Sequence, residues 1–496
     1  MAGYPLPPEL TARVISYLTI PDNFNPYKIQ EPARVAQYAT VSRDWQMIVE
    51  RHTFSTLHLT TPQRLTEFEQ IVAQNARRRS YVRNVNLLVQ LESYDVEARA
   101  KFETAEEHRR NNEIFTRTIQ SLFKILQSWP EDQTGIHLSI KAQSPSDAVP
   151  GKEGQRRMKE ARKNRAKDLL ERRFEKCYLQ FSEESLDGLP AVGAVTTLSV
   201  DAGYRFQRLI SPASCAIIAS KLPRLQNASL VLLDNEKRDL ALRKRNRNEF
   251  VCYFNFWPSS VEDFYLVFYN EPPANQTRSP ADLVDGNAED PLSSRLRDFS
   301  QQLTAIHLED IVVGKELFWP IAPKDDTQLP SWPKLTSFRL QYTITTPSGG
   351  WYFERNPAEE GEDADGGGDS DLEDQYSRMQ EHLRPPLEDR FPQSSRTKVS
   401  SELINEFYVS AGRAAQRMPK LKYMHLETSS GQGRHWFQYE VKGKTATATW
   451  ADMILFQPEE RVLEVWRDAA RQHTGSESNL EVKLQDLSVP YTGSYA

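Results

Sequence analysis

The chain has 496 residues, 39% of them hydrophobic and 26% charged, with a formal net charge of −6. That balance suits a globular chain able to bury a sizeable core, and it argues against bulk nucleic-acid binding, which needs a basic balance. No run approaches the roughly 18 apolar residues that cross a bilayer, and no charged n-region followed by an apolar h-region opens the chain, so neither a membrane span nor a secretory signal is expected.

The first stretch with a readable pattern is Leu6-Pro7-Pro8-Glu9-Leu10. After the two prolines, Leu10, Val14, Ile15 and Leu18 fall at helical spacing on one face. A Pro/Asn-rich turn follows from Pro21 to Pro32, and a second amphipathic segment carries Val35, Tyr38, Val41, Trp45, Ile48 and Val49. A unit of under about sixty residues buries little of its own apolar surface and must lean on something else.

Leu6, Pro7, Glu9, Leu10, Ile15 and Leu18, followed by Val41-Ser42-Arg43-Asp44-Trp45, resemble the F-box. The family pattern opens Leu-Pro-x-Glu-Leu and closes Val-Ser/Cys-Arg/Lys-x-Trp. The link from Thr19 to Pro32 is longer and richer in Pro and Asn than that pattern has. The whole chain resembles fungal F-box proteins with a long C-terminal region. The resemblance implies an N-terminal unit over 1–59 that docks a Skp-type adaptor of a cullin-RING ubiquitin ligase. Its contacts would be Leu6, Pro7, Glu9, Leu10, Ile15, Leu18, Val41 and Trp45.

The remainder, 60–496, is expected to be one repeat-like domain, and from Phe54 onward one pattern recurs: apolar-x-x-apolar-x-apolar. Copies include Phe54/Leu57/Leu59, Val82/Val85/Leu87, Val195/Leu198/Val200, Leu225/Ala228/Leu230, Val261/Phe264/Leu266, Leu303/Ile306/Leu308, Leu335/Phe338/Leu340 and Leu421/Met424/Leu426. Weaker copies are Ile136/Leu138 and Leu484/Leu487/Val489. The alternation that closes each copy is the period of a strand with one buried face. Between copies lie helical patterns, several opened by a cap and proline, as in Thr61-Pro62 and Ser211-Pro212. Strand and helix in alternation predict an α/β fold with parallel strands. The spacing of about 30 to 42 residues between copies is that of a solenoid, and the array resembles degenerate leucine-rich repeats. An unrelated α/β domain is the alternative.

Three stretches interrupt the array and are expected to be disordered inserts: 143–176, 272–290 and 357–374. Lys152–Lys167 holds eight Lys/Arg against two Glu, and Pro357–Asp374 holds nine acidic residues and no basic one. The basic insert reads as a solvated helix, a nuclear import signal or a nucleic-acid contact. It lacks the aromatics on which single strands stack, so nucleic acid is an unlikely partner.

No Gly-x-Ser-x-Gly elbow, His-Glu-x-x-His or Walker loop is present, so no catalytic residue is expected and the chain reads as a non-enzyme without a cofactor. Three cysteines, Cys177, Cys215 and Cys252, lie too far apart in sequence for a disulfide framework or a zinc knuckle. A reducing compartment, cytoplasmic or nuclear, is expected.

Four of the nine histidines, His58, His137, His307 and His425, fall between the last two apolar residues of a copy. In a strand that position faces away from the core. Asn86, Ser199, Ser229, Tyr265 and Arg339 are expected in the same row on the uncovered face. That row is the candidate grip for a target protein of unknown identity, at Asn86, His137, Ser199, Tyr265, His307, Arg339 and His425. A metal site is not expected; solvated histidines without a role are the bland alternative. The functional expectation is a substrate-recruiting adaptor. A scaffold whose F-box belongs to its own fold, and a nuclear or RNA-associated factor using the basic insert, are the alternatives.

Overall fold

Alternation of apolar and polar residues fixes the strands. In the computed structural model they are β1 (Thr56–Leu59), β2 (Asn84–Gln90), β3 (Ile136–Gln143), β4 (Val195–Asp201), β5 (Asn227–Leu233), β6 (Asp263–Tyr269), β7 (Ala305–Ile311), β8 (Ser337–Tyr342), β9 (Phe353–Arg355), β10 (Arg396–Val399), β11 (Tyr423–Ser429), β12 (Arg434–Lys442), β13 (Thr445–Asp452) and β14 (Leu480–Asp486). The structure describes residues 7, 9–10, 13–14, 35–95, 97–98, 101–130, 135–147, 173–182, 188–202, 208–321, 329–355, 369–379, 384–390, 396–430, 433–454 and 456–487. Twelve strands form one sheet in the order β1 through β8, then β11 through β14, while β9 and β10 pair separately. Every neighbour from β1 to β8, and β11 after it, is parallel.

Within β2, Val85, Leu87 and Val89 are buried while the residues between them stay half-exposed, and β3, β5 and β6 repeat that alternation. The buried set packs against helices. Ala105–Gln127 contributes Phe115, Ile119, Leu122, Phe123 and Leu126, and its start is fixed by a capping box between Thr104 and Glu107. Three further helices begin with a side-chain cap followed by proline: Thr61 before Pro62, Ser211 before Pro212 and Asp290 before Pro291. The cap satisfies a free amide of the first turn, and proline needs none there. Strand and helix residues form one continuous apolar core.

Several expectations need correction. The parallel array does not run to the end: β12 is antiparallel to both β11 and β13, and β14 is parallel to β13. The β12–β13 hairpin turns at Gly443, whose φ of +63° suits glycine. β14 covers Leu480–Asp486 with Leu484 exposed, so the weak Leu484/Leu487/Val489 copy is not a core strand; Val489 lies outside the described residues. The stretch 272–290 is not disordered. Asn275, Gln276, Leu283 and Asp290 are buried, and the Asn275 amide nitrogen and Nδ2 donate to the carbonyls of Glu388 and Arg390 at 3.1 and 2.9 Å. Of 143–176, both ends are packed, with Ser144, Asp147, Arg173 and Phe174 buried; 148–172, including the basic run, lies outside the described residues. Of 357–374, 357–368 lies outside them, and Asp369 begins a helix that ends at Arg378. The copy Phe54/Leu57/Leu59, inside the segment 1–59, supplies β1, an edge strand of the sheet, as its pattern leads one to expect.

Buried charge closes the C-terminal ends of the central strands. Asp234, directly after β5, accepts from Arg243 at 3.0 Å and from Arg247 at 2.6 Å, and Arg247 also meets Asp290 at 3.3 Å. Asp290 in turn caps the Pro291–Ser300 helix through the Ser293 amide at 2.9 Å. Burial pushes the Asp234 carboxyl up, but the two guanidiniums outweigh it and hold it below its ordinary value. Its stabilising contribution is therefore present above the unfolded pKa of about 3.9 and fades as pH falls through the lower folded value. Arg247→Met strips Asp290 of its cation. Urea unfolding at pH 7 should show a loss of about 3–5 kcal/mol, with the acid limb of the stability curve moved to higher pH.

Candidate functional site

Parallel register turns single outward-facing positions into rows. One row runs His58, Asn86, Ser139, Ser199, Ser229, Tyr265, His307, Arg339 and His425 across the parallel strands. It continues through Gln438, Thr449 and Lys483. Asn86, Ser199, Tyr265, His307, Arg339 and His425 thus share one line, as does His58. His137 does not: it pairs with Asn84 and Thr197, and Ser139 occupies its expected place. The stretch Ile136-His137-Leu138-Ser139-Ile140 alternates twice over, and the ladder aligns Leu138 and Ile140, not Ile136 and Leu138, with Val85 and Leu87. His137 still reaches the row, with Nε2 2.7 Å from Ser199 Oγ.

The richest part spans β6 to β12. Tyr265 and His307 meet edge to face with ring centroids 5.0 Å apart, and both reach Glu309: the phenol donates at 2.9 Å and His307 Nε2 lies 2.9 Å away. One strand pair over, Arg339 lies over the Tyr423 ring at 5.1 Å. His425 Nε2 is 3.2 Å from Glu427, which also accepts from Arg434 at 2.7 Å, and the His425 ring lies 5.8 Å from Trp436. Between β4 and β8 the face dips into an open depression of about 350 Å³, walled by Asn227, Asp263, Tyr265, His307 and Arg339.

A β-bulge shapes this region. Register slips between Leu308 and Ile311, and Asp310 sits there at φ +52°, a left-handed conformation that aspartate tolerates better than most residues. Glu309 and Asp310 follow each other at the bulge. Burial, then Glu309, pushes the Asp310 carboxyl up; burial, then the bond to Glu309, pushes the Tyr265 phenol up to about 12. Burial lowers the His307 pKa, Arg339 and His425 add to that, and Glu309 opposes them. Burial alone lowers His137. The Glu427 carboxyl is held down by its bond to His425, against burial.

The face therefore presents imidazoles, aromatic rings, a guanidinium and carboxylates, from half-buried to exposed, on neighbouring strands. Such a surface can hydrogen-bond and stack. The Ser199–His137 pair is a possible nucleophile and base by type, but among the described residues no carboxylate meets the other His137 nitrogen. Among the described residues no group of three His, Cys, Asp or Glu stands close enough to hold a metal ion, and no helix is long and apolar enough to cross a membrane.

The sequence reading missed Ser139, Asp263, Glu309, Tyr423, Glu427, Trp436 and Gln438. Asp263, Glu309, Tyr423 and Glu427 lie two residues from an expected position on their own strand, so the period of two would have found them. Trp436 and Gln438 belong to β12, a strand without the repeated pattern.

At the N-terminus, Pro7, Glu9 and Leu10 are exposed, and Glu9, Leu10, Arg13 and Val14 are helical. Leu6, Ile15 and Leu18 lie outside the described residues. Val41 is exposed just before the Arg43–Thr53 helix, while Trp45 is half-buried against Tyr38, with ring centroids 6.3 Å apart. The same helix is anchored through Glu50, which accepts from Arg77 at 2.9 Å and Arg78 at 2.8 Å.

The profile of a family of unknown function (DUF6546) matches residues 392–495, the stretch holding β10 to β14 and the helices Ser401–Ala415 and Glu460–Thr474. No curated protein matches the chain.

His307 should titrate by NMR below its ordinary 6.5. Glu309→Gln should lower the midpoint further, and Arg339→Gln should raise it. Because the unfolded imidazole takes its proton first as pH falls, this residue's contribution to stability should decline below about pH 7. A midpoint at or above 6.5 would contradict the stated balance of burial and charge.

Proposed function

We propose that this chain is a non-enzymatic, substrate-recruiting F-box adaptor of a cullin-RING ubiquitin ligase. Its N-terminal helices would bind a Skp-type adaptor, and a leucine-rich-repeat-like solenoid would hold the target protein on its uncovered sheet face. The observation that carries the reading is exposed apolar surface at the places the F-box resemblance marks. Leu10 and Val41 are 48% and 60% exposed, and Val14, one turn after Leu10, is 40% exposed. Apolar side chains at i and i+4 of a helix are what a partner's groove receives. The strand order supports the solenoid: from β1 to β8 each strand adds beside its predecessor, as in stacked repeats. The ligase chemistry would belong to other subunits, and this chain would act by raising effective concentration.

One observation favours a second reading, a scaffold whose F-box is part of its own fold. The clamp of Glu50 on Arg77 and Arg78, with Val49 buried, seats the Arg43–Thr53 helix on the body of the molecule.

Co-purification separates the two. The wild-type chain should capture a Skp-type adaptor, and Leu10→Asp/Val14→Asp should weaken that capture by roughly tenfold or more while circular dichroism stays unchanged. Folded wild-type protein that captures no adaptor leaves the scaffold reading in place. On the target side, Tyr265→Ala/Arg339→Ala should release the target without affecting the adaptor. Loss of both together would mean that the substitutions act through the fold.

A further inference from the structure

β14 differs from every other strand of the sheet. Every other strand has at least one buried residue, but here none is buried: Val482 and Leu484 are 42% and 41% exposed, and on the opposite face the side chains of Lys483 and Glu481, ion-paired along the strand at 3.2 Å, are 52% and 55% exposed. Val482 and Leu484 stand beside Ala448 and Trp450 of β13, both buried, so they extend the core-side layer to a margin that the described residues cover only in part.

The backbone is open as well. The Leu487 amide donates to the Asp452 carbonyl of β13 at 2.9 Å. Successive residues of a strand turn their N–H and C=O to opposite edges, so the odd-numbered residues of β14 face β13. Leu480, Val482 and Leu484 aim theirs outward. Among the described residues no strand pairs with that edge. An edge carrying both unpaired backbone groups and exposed apolar side chains is a template for another strand.

We propose that β14 pairs antiparallel with β14 of a second copy of this chain, about a two-fold axis through Val482. The sequence Leu480-Glu481-Val482-Lys483-Leu484 is self-complementary in that register. Val482 faces its own copy and Leu480 faces Leu484, all with outward backbone groups, so these are the hydrogen-bonded pairs. Glu481 faces Lys483 twice, at the non-hydrogen-bonded positions where side chains approach most closely. Neighbouring two-fold registers are worse. An axis through Lys483 sets lysine against lysine, and one through Glu481 sets glutamate against glutamate. The contact is isologous and closed, so it yields a dimer and not a fibre.

Sedimentation of the full chain over a concentration series tests this. The wild type should be a dimer, and Glu481→Lys or Lys483→Glu alone should weaken it roughly tenfold by replacing two attractive pairs with repulsive ones. The double swap E481K/K483E should restore the dimer, and a mixture of the two single variants should form a heterodimer. Independently of any variant, hydrogen exchange at the Val482 and Leu484 amides should be slow in the dimer and speed up on dilution. A wild type that stays monomeric at its highest soluble concentration, a dimer indifferent to the single swaps, or species that keep growing beyond two copies would overturn the proposal. Protection at those amides that persists in a monomer would overturn it too, and would identify a segment of the same chain as the occupant.

Discussion

Hydrogen bonding of each strand from β1 to β8 to the next one in sequence, in the same direction, is the constraint from which the rest follows. A parallel neighbour requires a crossover, and crossovers take one hand. When strand order equals chain order, no reversal sends a helix to the opposite side. Helices therefore accumulate on one layer, the alternating apolar residues point into it, and the other layer is left to polar and aromatic side chains. The row from His58 to His425 is a by-product of that geometry before it is anything functional.

Polar groups complete what the apolar layer cannot. At the strand ends the core meets loops whose backbone and charges must find partners in low dielectric. Arg208 does this at one end of the sheet, bonded to Asp147 at 3.1 Å and Glu103 at 2.7 Å over the Phe174 ring. Arg247 does it in the middle, between Asp234 and Asp290. Near the C-terminal end, His435 is buried between Asp452 Oδ2 and the Tyr408 hydroxyl, each 2.7 Å away. Buried pairs of this kind give no assurance of net stability, but each fixes the loop that carries it to one arrangement.

Much of the fold was legible because period two leaves a plain mark. The copies ending Val85/Leu87, Phe264/Leu266 and Phe338/Leu340 all became strands, in the expected orientation and order. His137 was misplaced because three alternating apolar residues define a face but not a register, and only the neighbouring strands choose between them. The β12–β13 hairpin was passed over because Thr445-Ala446-Thr447-Ala448-Thr449 alternates in size more than in hydropathy, and its one clear signal is Gly443. The loop over 272–290 was misjudged for another reason. Polar composition marks a segment as poor in apolar surface, yet it cannot tell whether Asn275 and Gln276 find bonding partners. Asp263 and Glu309 stand two residues from Tyr265 and His307 on their own strands, so the period of two makes that part of the site legible as well.

The antiparallel turn at the end of the sheet has a bearing on inheritance. By reversing direction between β11 and β12 and again at Gly443, the chain adds two strands without two more crossover helices, and Glu460–Thr474, with Val462, Trp466, Ala469 and Ala470 turned inward, covers the small alanines of β13. This terminal module lies within the stretch that DUF6546 matches. A module of that kind is indifferent to how many parallel strands precede it. A match confined to this end therefore carries no information about the uncovered face of the strands upstream.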